Sequence, residues 1–319
     1  MPPPVPQTPS EELRAWATLH AGPFRRWERL AGDLSARAYY RLRRAVGETA
    51  VLAVYPAELA ADCGRFLRST CLLEGARVRA PKVLAADCGR GWMLLEDLGE
   101  ATVADLAPAP RRLAAYFRHA AGLIARIAAL PRAAVAELNP PLDGDLLAAE
   151  LDLTRRAFLG PRGLLEGLGK AYDDAAAALC ATLGGEEPVP CHRDFMVRNL
   201  LPCGEPPALA VIDHQGLRLG PPAYDLASLL NDTLFPSAAV ERALLDAVLG
   251  PGPRPGYHGA AAQRALKAVG TYAASASAGR PRHAGLIAPT FVRALDHLAR
   301  LPATADLAAA LSARWAAVC

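Results

Sequence analysis

Residues 190–201 read PCHRDFMVRNLL and crowd polar side chains between apolar residues on either side. The polar residues of this stretch are His192, Arg193, Asp194, Arg198 and Asn199. A second apolar run, ALAVIDHQG at 208–216, presents Asp213 near its end, and the turn-forming sequence PCGEPP separates the two runs. Short apolar runs on both sides of such a turn predict a β-hairpin. Its open end should bring Asn199 and Asp213 together.

The predicted hairpin end has the chemistry of a phosphate-handling metal site. Mg²⁺ usually takes one or two protein oxygens and fills its other positions with water and phosphate oxygens, so Asn199 and Asp213 suit it. Asp194, which precedes this pair, can accept a proton from an attacking hydroxyl. A base, a metal pair and positioned charge are the parts that phosphoryl transfer needs. The sequence therefore predicts a Mg²⁺-dependent phosphotransferase site.

Length and composition limit the alternatives. A chain of 319 residues favours about two domains. The most apolar helical segment, residues 111–130, is interrupted by Arg118, His119 and Arg126, so we expect no membrane span. The first residues lack the basic and apolar segments of a signal peptide, and a net charge of +3 is too small to indicate nucleic acid. We therefore expect a cytoplasmic monomer whose partners include neither membrane nor nucleic acid.

The cysteines agree with a cytoplasmic protein. The chain has seven, an odd number, and no two of them form a C-x-x-C pair. Disulfide frameworks and zinc sites usually show an even count or closely spaced pairs. We therefore expect the cysteines to be reduced thiols, since disulfides are rare in the cytoplasm.

The spacing of apolar residues divides the chain into a β-rich part and a helical part. Strands are predicted at 38–46, 49–55, 82–87 and 91–98, with one helix at about 58–75. The first two strands should form a hairpin across the turn at Gly47 and Glu48. From residue 100 onward we expect helices at about 111–130, 143–159, 165–183, 222–233, 237–249, 260–278, 284–299 and 304–317. We predict an α+β fold with lobes at 1–98 and 99–319, in which residues 1–9 are disordered.

The set His192, Asp194, Asn199 and Asp213 resembles the catalytic motif of the protein-kinase-like fold, and within it the aminoglycoside phosphotransferase family. The resemblance extends to GPPAYDLASLL at 220–230, which is similar to the family's Gly-x-Pro…Asp-Leu-Ala element. It covers most of the chain through GDLSARAYYRLR (32–43), LLEDLG (94–99) and LLAAELDLTRRAFL (146–159). Within the family, the sequence looks closest to bacterial kinases that phosphorylate the anomeric hydroxyl of N-acetylmuramate and N-acetylglucosamine in cell-wall recycling.

The resemblance implies a two-lobe fold with a small β-rich nucleotide lobe, and it implies ATP and Mg²⁺ as cofactors. It assigns the catalytic base to Asp194 and the metal ligands to Asn199 and Asp213. His192 should hold the loop rather than react. Arg193 stands where the antibiotic kinases typically have glycine, and we expect it to support the loop, pairing with a carboxylate such as Asp225. Asp225 itself should anchor the loop from the start of a helix.

The nucleotide site departs from the family pattern at one position. Kinase-like enzymes usually place a lysine on the third strand to hold the nucleotide phosphates, but this strand has Ala53 near that position. Either the chain is inactive, or an arginine substitutes, since arginine can grip phosphate with two donors. The candidates are Arg37, Arg41 and Arg43, with Ser35 in the phosphate loop. The family's hinge implies that adenine bonds the Glu96 C=O and the Leu98 N–H.

Three polar residues are candidates for binding a small sugar: Glu150, Arg198 and Asp232. Glu150 lies on an otherwise apolar helical line, where a carboxylate faces a cleft or a partner. A pocket for a polycationic aminoglycoside should be acidic, but residues 220–319 hold few acids. Three functions stay open, with the first favoured: an anomeric amino-sugar kinase, a kinase for an aminoglycoside or another hydroxylated molecule, and a nucleotide-binding pseudokinase.

Overall fold

The structure is a computed structural model that describes residues 9–30, 36–45 and 47–318. Ser35 and nearly all of the segment 1–9, for which disorder was predicted, lie outside the described residues. The described chain contains a five-stranded antiparallel sheet followed by a mainly helical region. We call the sheet with its two helices the small lobe and the part from residue 99 onward the large lobe. The predicted α+β class is confirmed.

The small lobe is built around one antiparallel sheet with the strand order β1-β2-β3-β5-β4. Its helices and strands, in chain order, are α1 (Glu11–Ala21), β1 (Arg26–Arg29), β2 (Ala38–Arg43), β3 (Thr49–Val54), α2 (Ala60–Gly75), β4 (Val83–Asp87) and β5 (Trp92–Glu96). Strands β2 and β3 pair in the predicted hairpin, with Tyr40 opposite Leu52. Strand β1, which the sequence pattern did not reveal, extends the sheet at its edge.

The two helices of the small lobe cover opposite faces of the sheet because side chains alternate along each strand. Leu52 and Leu94 point to the face that packs with Leu13 of α1. Their neighbours, Ala53 on β3 and Met93 on β5, lie on the opposite face, which packs with Phe66 of α2. Both faces are therefore buried, and α2 is fixed at the side of the sheet that turns towards the large lobe.

Cys63 on α2 and Cys88 in the turn between β4 and β5 form a disulfide, with their Cα atoms 5.5 Å apart. The prediction that the cysteines are all reduced thiols is wrong for this pair. The two residues are 25 positions apart, and only the packing of α2 on the sheet brings them together. The cysteines described as free are Cys71, Cys180, Cys191 and Cys203.

The large lobe consists mainly of helices, with two short two-stranded sheets. Its helices and strands are α3 (Val103–Leu106), α4 (Pro110–Ala128), α5 (Arg132–Ala136), α6 (Gly144–Thr154), α7 (Gly169–Gly184), β6 (Val189–Cys191), β7 (Leu200–Pro202), β8 (Leu209–Val211), β9 (Arg218–Gly220), α8 (Tyr224–Leu230), α9 (Ala238–Leu249), α10 (Pro255–Ser277), α11 (Ile287–Leu298) and α12 (Ala305–Val318). A π-helical turn, Arg155–Leu159, continues α6.

Helix α10 is the central helix of the large lobe and packs against α6, α8 and α11. Its backbone comes very close to α6 at Gly270, where an added Cβ would lie 2.7 Å from the Thr154 Cα. The Thr154 hydroxyl donates a hydrogen bond to the Leu266 carbonyl at 2.7 Å, so the crossing is also bonded. Glycine is therefore required at this crossing, and the crossing fixes the side chains one turn away on α10.

The two lobes meet along the segment that follows β5 and along the loop after β8. Arg41 of β2 bonds the Asp97 carboxylate and the Gly99 carbonyl, which ties the connecting segment to the sheet. The Val211 N–H donates to the Arg79 carbonyl at 2.8 Å. The lobe boundary at 98/99 stays a prediction. None of the helices in the described part of the chain has the length and hydropathy that a membrane crossing requires.

Candidate active site

The loop after β6 is held by two residues from other parts of the large lobe. Asp225, buried at the start of α8, accepts hydrogen bonds from the His192 N–H at 2.6 Å and the Arg193 N–H at 2.9 Å. The His192 Nε2 lies 3.0 Å from the Ile212 carbonyl, which joins the loop to the end of β8. Burial raises the pKa of Asp225 to about 6, although the backbone donors favour its charged form. This scaffold leaves Asp194 at a defined point on the loop.

Arg193 supports the loop in a different way from the one expected. Its backbone N–H bonds Asp225, but its guanidinium pairs with Glu150 at 2.6 Å. The side chain therefore pairs with a carboxylate as expected, but the carboxylate is that of Glu150, while Asp225 is bonded by the backbone. The backbone of Arg193 has φ +76°, a left-handed conformation that favours glycine. The resemblance places glycine at this position, and glycine adopts this conformation without strain. In this chain the position is arginine, whose side chain forms an ion pair with Glu150 of α6.

The Asp194 carboxylate faces a cationic part of the large lobe. The Lys267 Nζ lies 3.3 Å from its Oδ1, and 30% of the Asp194 side chain stays exposed. Burial by itself would raise the pKa of Asp194, but the charges of Lys267, Arg193 and Arg264 outweigh it and hold that pKa well below its usual range. Asp194 is therefore ionised at neutral pH, as a proton acceptor must be.

Asn199 and Asp213 lie at the same end of the predicted hairpin, which β7 and β8 form. Leu200 pairs with Val211, and the Ile212 N–H donates to the Asn199 carbonyl at 3.0 Å. The Asn199 Nδ2 donates to the Asp194 carbonyl at 2.8 Å, so the amide oxygen points away from that bond. The geometric prediction that one hairpin gathers these residues is confirmed.

Asp213 adopts a left-handed backbone conformation, φ +62°, two residues after the end of β8. Its Oδ1 accepts hydrogen bonds from the Arg37 Nη2 at 2.9 Å and the Gln215 Nε2 at 2.7 Å. The next residue, His214, is fully buried and lies 2.8 Å from the Thr70 hydroxyl of α2. Burial lowers the pKa of His214 to about 3, so its ring is neutral and packs rather than carrying charge.

The donor set at the hairpin end fits Mg²⁺. It offers an amide oxygen of Asn199 and a carboxylate of Asp213, and 41% of the Asp213 side chain is exposed. In the described part of the chain, no group of three or more His, Cys, Asp or Glu side chains is placed to hold a metal ion. Two oxygen donors suit an ion that takes its other ligands from water and phosphate, but not zinc.

Arg37 is the arginine that reaches the site from the small lobe. Its guanidinium lies 5.7 Å from the centre of the Tyr55 ring and 6.0 Å from that of Tyr39, and only 9% of its side chain is exposed. The contact with Asp213 links residues 176 positions apart. A cation within about 6 Å of an aromatic ring centre is attracted to the face of the ring, so the two tyrosines add to the ion pair. Arg37 thus reaches the proposed metal ligand Asp213 from the small lobe, and its binding of nucleotide phosphates stays a prediction.

Arg41 and Arg43, the other arginine candidates, point to the connecting segment. Arg41 binds both oxygens of Asp97, at 2.7 and 3.0 Å. Arg43 pairs with Glu100 at 2.6 Å, in an exposed position. Glu96 ends β5, and its carboxylate accepts hydrogen bonds from Arg79 and from the Lys82 N–H, so its side chain is occupied. The adenine contacts of the Glu96 carbonyl and the Leu98 N–H stay predictions.

The three predicted sugar-binding residues have partners within the large lobe. Arg198 pairs with Asp232 at 2.9 Å and donates to the Tyr272 hydroxyl at 2.6 Å. Glu150 accepts from Arg193 and from the Gln263 Nε2 at 3.0 Å. Burial would raise the pKa of Glu150, but Lys267 and Arg193 outweigh it and lower that pKa. Their sugar-binding roles stay predictions.

The residues that sequence reasoning missed lie mostly on α10. They are Gln263, Arg264, Lys267 and Tyr272, to which Gln215 in the loop after β8 is added. A signal existed, because the alanine-rich run AAAQRALKAVG at 260–270 carries one of only three lysines in the chain. What could not be read from the sequence is that this face of α10 meets the loop at Asp194.

Comparison with known proteins places these features in a family. Residues 26–262 match the phosphotransferase enzyme family. Relatives from Pseudomonas putida and Pseudomonas aeruginosa both bear the name N-acetylmuramate/N-acetylglucosamine kinase. The first is 28% identical and the alignment covers 92% of this chain and 88% of the relative. The second is 31% identical, with 87% and 85% covered.

Solved structures share the fold. The ADP-bound aminoglycoside phosphotransferase APH(2'')-Ib matches with a TM-score of 0.61 at 15% identity. The match covers 89% of this chain and 96% of that structure. At this identity the likeness concerns the fold alone, and it confirms the predicted protein-kinase-like, two-lobe arrangement.

Proposed function

The chain belongs to the phosphotransferase enzyme family, and on that premise we propose that it is a kinase that moves the γ-phosphoryl group of ATP onto a small sugar. The acceptor that we propose is the anomeric C1 hydroxyl of an N-acetylated amino sugar, N-acetylglucosamine or N-acetylmuramate, in cell-wall recycling. The observation that carries the proposal is the meeting of Asp194, Asn199 and Asp213 at one hairpin end beside a cationic helix. The names of the relatives support the sugar. A cytoplasmic location and a monomeric state stay predictions.

Asp194 would act as the proton acceptor. The C1 oxygen forms a bond to the γ-phosphorus, the bond from that phosphorus to the ADP oxygen breaks with its electron pair leaving on ADP, and the C1 hydroxyl proton passes to the Asp194 carboxylate. The products are a sugar 1-phosphate and ADP. The anomeric hydroxyl is more acidic than other sugar hydroxyls, so a base whose pKa is low can still serve. Phosphoryl transfer depends more on positioning than on the strength of the base.

Asn199 and Asp213 would hold Mg²⁺, which would neutralise charge on the nucleotide phosphates. His192 and Asp225 would keep Asp194 at its place on the loop, through the backbone bonds described above. Arg193 would contribute through its own N–H and its pair with Glu150. These supporting residues need not touch the substrate.

The nucleotide phosphates would be bound from the small lobe by Arg37. It is the candidate whose guanidinium lies at Asp213, whereas Arg41 and Arg43 bond Asp97 and Glu100. The predicted roles of Ser35 at the phosphates, and of the Glu96 carbonyl and the Leu98 N–H at adenine, complete the proposed nucleotide site. With an arginine at this place, the absence of the third-strand lysine no longer favours a pseudokinase.

The charge of the large lobe favours a neutral or anionic sugar over a polycation. Residues 220–319 contain six acidic residues, Asp225, Asp232, Glu241, Asp246, Asp296 and Asp306. Of these, Asp232 is paired with Arg198 and Asp225 is bonded to the loop backbone. Lys267, Arg193 and Arg264 lie around Asp194. Glu150, Arg198 and Asp232 would shape the sugar pocket, and a polycationic aminoglycoside would be repelled by the cations near it.

The test is ATP consumption by the wild-type protein with Mg²⁺, using N-acetylglucosamine, N-acetylmuramate, their methyl glycosides and kanamycin in parallel. We expect turnover of the two free sugars and none of the methyl glycosides, with a phosphorus NMR signal coupled to the C1 proton. The variant Asp194→Asn, purified in the same way, controls for a contaminating kinase. Turnover of the methyl glycosides would exclude C1 as the acceptor, and turnover of kanamycin alone would favour an antibiotic kinase.

A further inference from the structure

Lys267 of α10 contacts the proposed base directly. We propose that Lys267 is a positioning residue for phosphoryl transfer, which holds the Asp194 carboxylate towards the acceptor hydroxyl and balances the negative charge beside it. The inference rests on the proposed function, because Asp194 acts as a base only if the chain is a kinase. The contact between the two side chains spans 73 positions in the sequence.

Lys267 bridges two carboxylates at the wall of the site. Its Nζ lies 3.3 Å from the Asp194 Oδ1 and 3.7 Å from the Glu150 Oε1. Among the side chains that the structure describes, it is the one that donates a hydrogen bond to the Asp194 carboxylate. The other bonds of Asp194 run through its backbone carbonyl, which accepts from the Asn199 amide and the Met196 N–H. The orientation of the carboxylate therefore depends on the lysine.

The position of Lys267 is fixed by the crossing of α10 and α6. Gly270, three residues further along α10, allows the close contact with Thr154, and the Thr154 hydroxyl bonds the Leu266 carbonyl next to the lysine. Only 17% of the lysine side chain is exposed. An exposed lysine would sample many rotamers. Lys267 samples fewer, because its backbone is held at the crossing of the two helices and its side chain is largely buried.

Glu150 provides the second anchor for the ammonium group. It is itself held by the Arg193 guanidinium on its Oε1 and by the Gln263 amide on its Oε2. Gln263 is in turn oriented by the Tyr224 hydroxyl, which donates to its Oε1 at 3.0 Å. Lys267 therefore lies between the fixed carboxylate of Glu150 and the proposed base Asp194. Because Glu150 and the backbone of α10 restrict the lysine, the lysine in turn restricts the orientation of the Asp194 carboxylate.

The cluster also balances charge at the place where phosphate must arrive. Asp194 and Glu150 carry two negative charges, which Lys267, Arg193 and the nearby Arg264 offset. Loss of the lysine removes the cation that contacts both carboxylates, so an anionic phosphoryl group would meet more negative charge there, and like charges repel. Loss of the lysine charge should therefore slow the phosphoryl transfer step more than it weakens nucleotide binding.

The test compares Lys267→Met, which keeps a long apolar chain, with Lys267→Arg, which keeps the charge. With ATP, Mg²⁺ and N-acetylglucosamine, we expect kcat of K267M to fall about 10- to 100-fold while the KM for ATP stays within about threefold, because misplacement of a reacting group acts on kcat. K267R should recover part of kcat. In Lys267→Ala, added methylamine should restore turnover in proportion to its concentration, which a purely structural role could not produce.

Lys170→Met is the matched control. Lys170 pairs with Asp174 on the surface, with 86% of its side chain exposed, and its loss should leave kcat unchanged. If the wild type shows no turnover of any sugar, the proposed function itself fails. If the wild type is active and K267M keeps kcat within threefold, the inference about Lys267 is overturned. The inference is also overturned if K267M loses activity but neither K267R nor methylamine on K267A restores any of it.

Discussion

At the scale of single residues, Asp194 and Asp213 have different proposed tasks, and their variants should separate them. Asp194→Asn should lower kcat about 10²- to 10⁴-fold, the usual size of a general-base contribution, while nucleotide binding stays nearly intact. Asp213→Ala should abolish Mg²⁺-dependent turnover, because it removes one of the two proposed ligands. Steady-state kinetics and calorimetric titration with ADP check both. A near wild-type kcat for Asp194→Asn would show that it is not the base.

Arg37 is expected to replace the missing lysine. Arg37→Ala should weaken ATP binding or lower kcat at least about tenfold, which corresponds to about 1.4 kcal/mol. Arg43→Ala is the control, because Arg43 pairs with the exposed Glu100 and should not affect the nucleotide. Arg41→Ala should instead cost stability, since it leaves the Asp97 carboxylate, 4% exposed, without its ion pair. If Arg37→Ala behaves like Arg43→Ala, another residue holds the phosphates.

Arg193 combines a strained backbone with a partly buried ion pair, and two substitutions can separate these effects. Both Arg193→Ala and Arg193→Gly remove the pair with Glu150. Only glycine also relieves the left-handed conformation at φ +76°, which costs a non-glycine residue about 1–2 kcal/mol. We expect the glycine variant to be more stable than the alanine variant by about 1 kcal/mol, less than the full strain because glycine gains entropy when unfolded. Equal midpoints in urea would contradict the strain argument.

At the scale of elements, the crossing of α6 and α10 should tolerate no larger residue at Gly270. An alanine Cβ there would lie 2.5 Å from the Thr154 Oγ1 and 2.8 Å from its backbone N. Overpacking against backbone usually costs about 1–3 kcal/mol, so Gly270→Ala should lower the free energy of unfolding by about that amount. Because the crossing also places Lys267, kcat should fall as well.

Gly122 on α4 provides the matched control, because nothing lies within 4 Å of a Cβ added there. Alanine is the better helix former, so Gly122→Ala should raise the free energy of unfolding by about 0.5–1 kcal/mol. Urea denaturation of both variants gives the comparison. Two variants of similar stability would mean that α10 can shift away from α6.

The sequence pattern predicted strands that a local turn joins better than strands that pair across a long stretch of chain. The hairpin of β2 and β3 and the later pair β7 and β8 were found, since turn residues flank their apolar runs. Strands β6 and β9, which are as short as β7 and β8, were not found, because no turn-forming sequence joins them directly. Helix α10 begins at Pro255 rather than near 260, because proline is accepted in the first turn.

At the scale of the whole molecule, buried histidines should make stability depend on pH. His297 bonds Asn231 through its Nε2 at 2.8 Å and His258 through its Nδ1 at 3.0 Å. The Asn231 Oδ1 can only accept, so the His297 Nε2 must donate to it. The His297 Nδ1 then accepts from His258, and a histidine ring with one donor and one acceptor is neutral. Burial, with the charges of His258, Arg293 and Arg300, lowers the pKa of His297 to about 3.

The unfolded histidine, with a pKa of about 6.5, takes up a proton before the folded one does. The stability that His297 contributes is therefore fully present above pH 6.5 and is lost as the pH falls from there towards 3. Between pH 7 and 5.5 this loss is about 1 kcal/mol. The free energy of unfolding of His297→Gln, measured at both pH values, should decline by about 1 kcal/mol less than that of the wild type. Parallel declines would show that the folded ring accepts a proton.

The sequence alone determined the features that depend on neighbours in the chain. The spacing of His192, Asp194 and Asn199, the turn at 202–207 and the strand ending at Asp213 specify a local hairpin, whose geometry follows from backbone pairing. The same local reasoning predicted the β-rich and helical halves and, through motif resemblance, the family. These features could be predicted because a local pattern of this kind is compatible with few backbone conformations.

Only the tertiary structure decided which distant side chains complete the site. Lys267 reaches Asp194 because Gly270 lets α10 approach α6, and Arg37 reaches Asp213 across the two lobes. The disulfide of Cys63 with Cys88 likewise follows from packing. Contacts of this kind depend on how closely helices and sheets approach, and a shift of a single ångström makes or breaks them. Composition and periodicity contain no measure of that distance, which the packing of the complete chain alone determines.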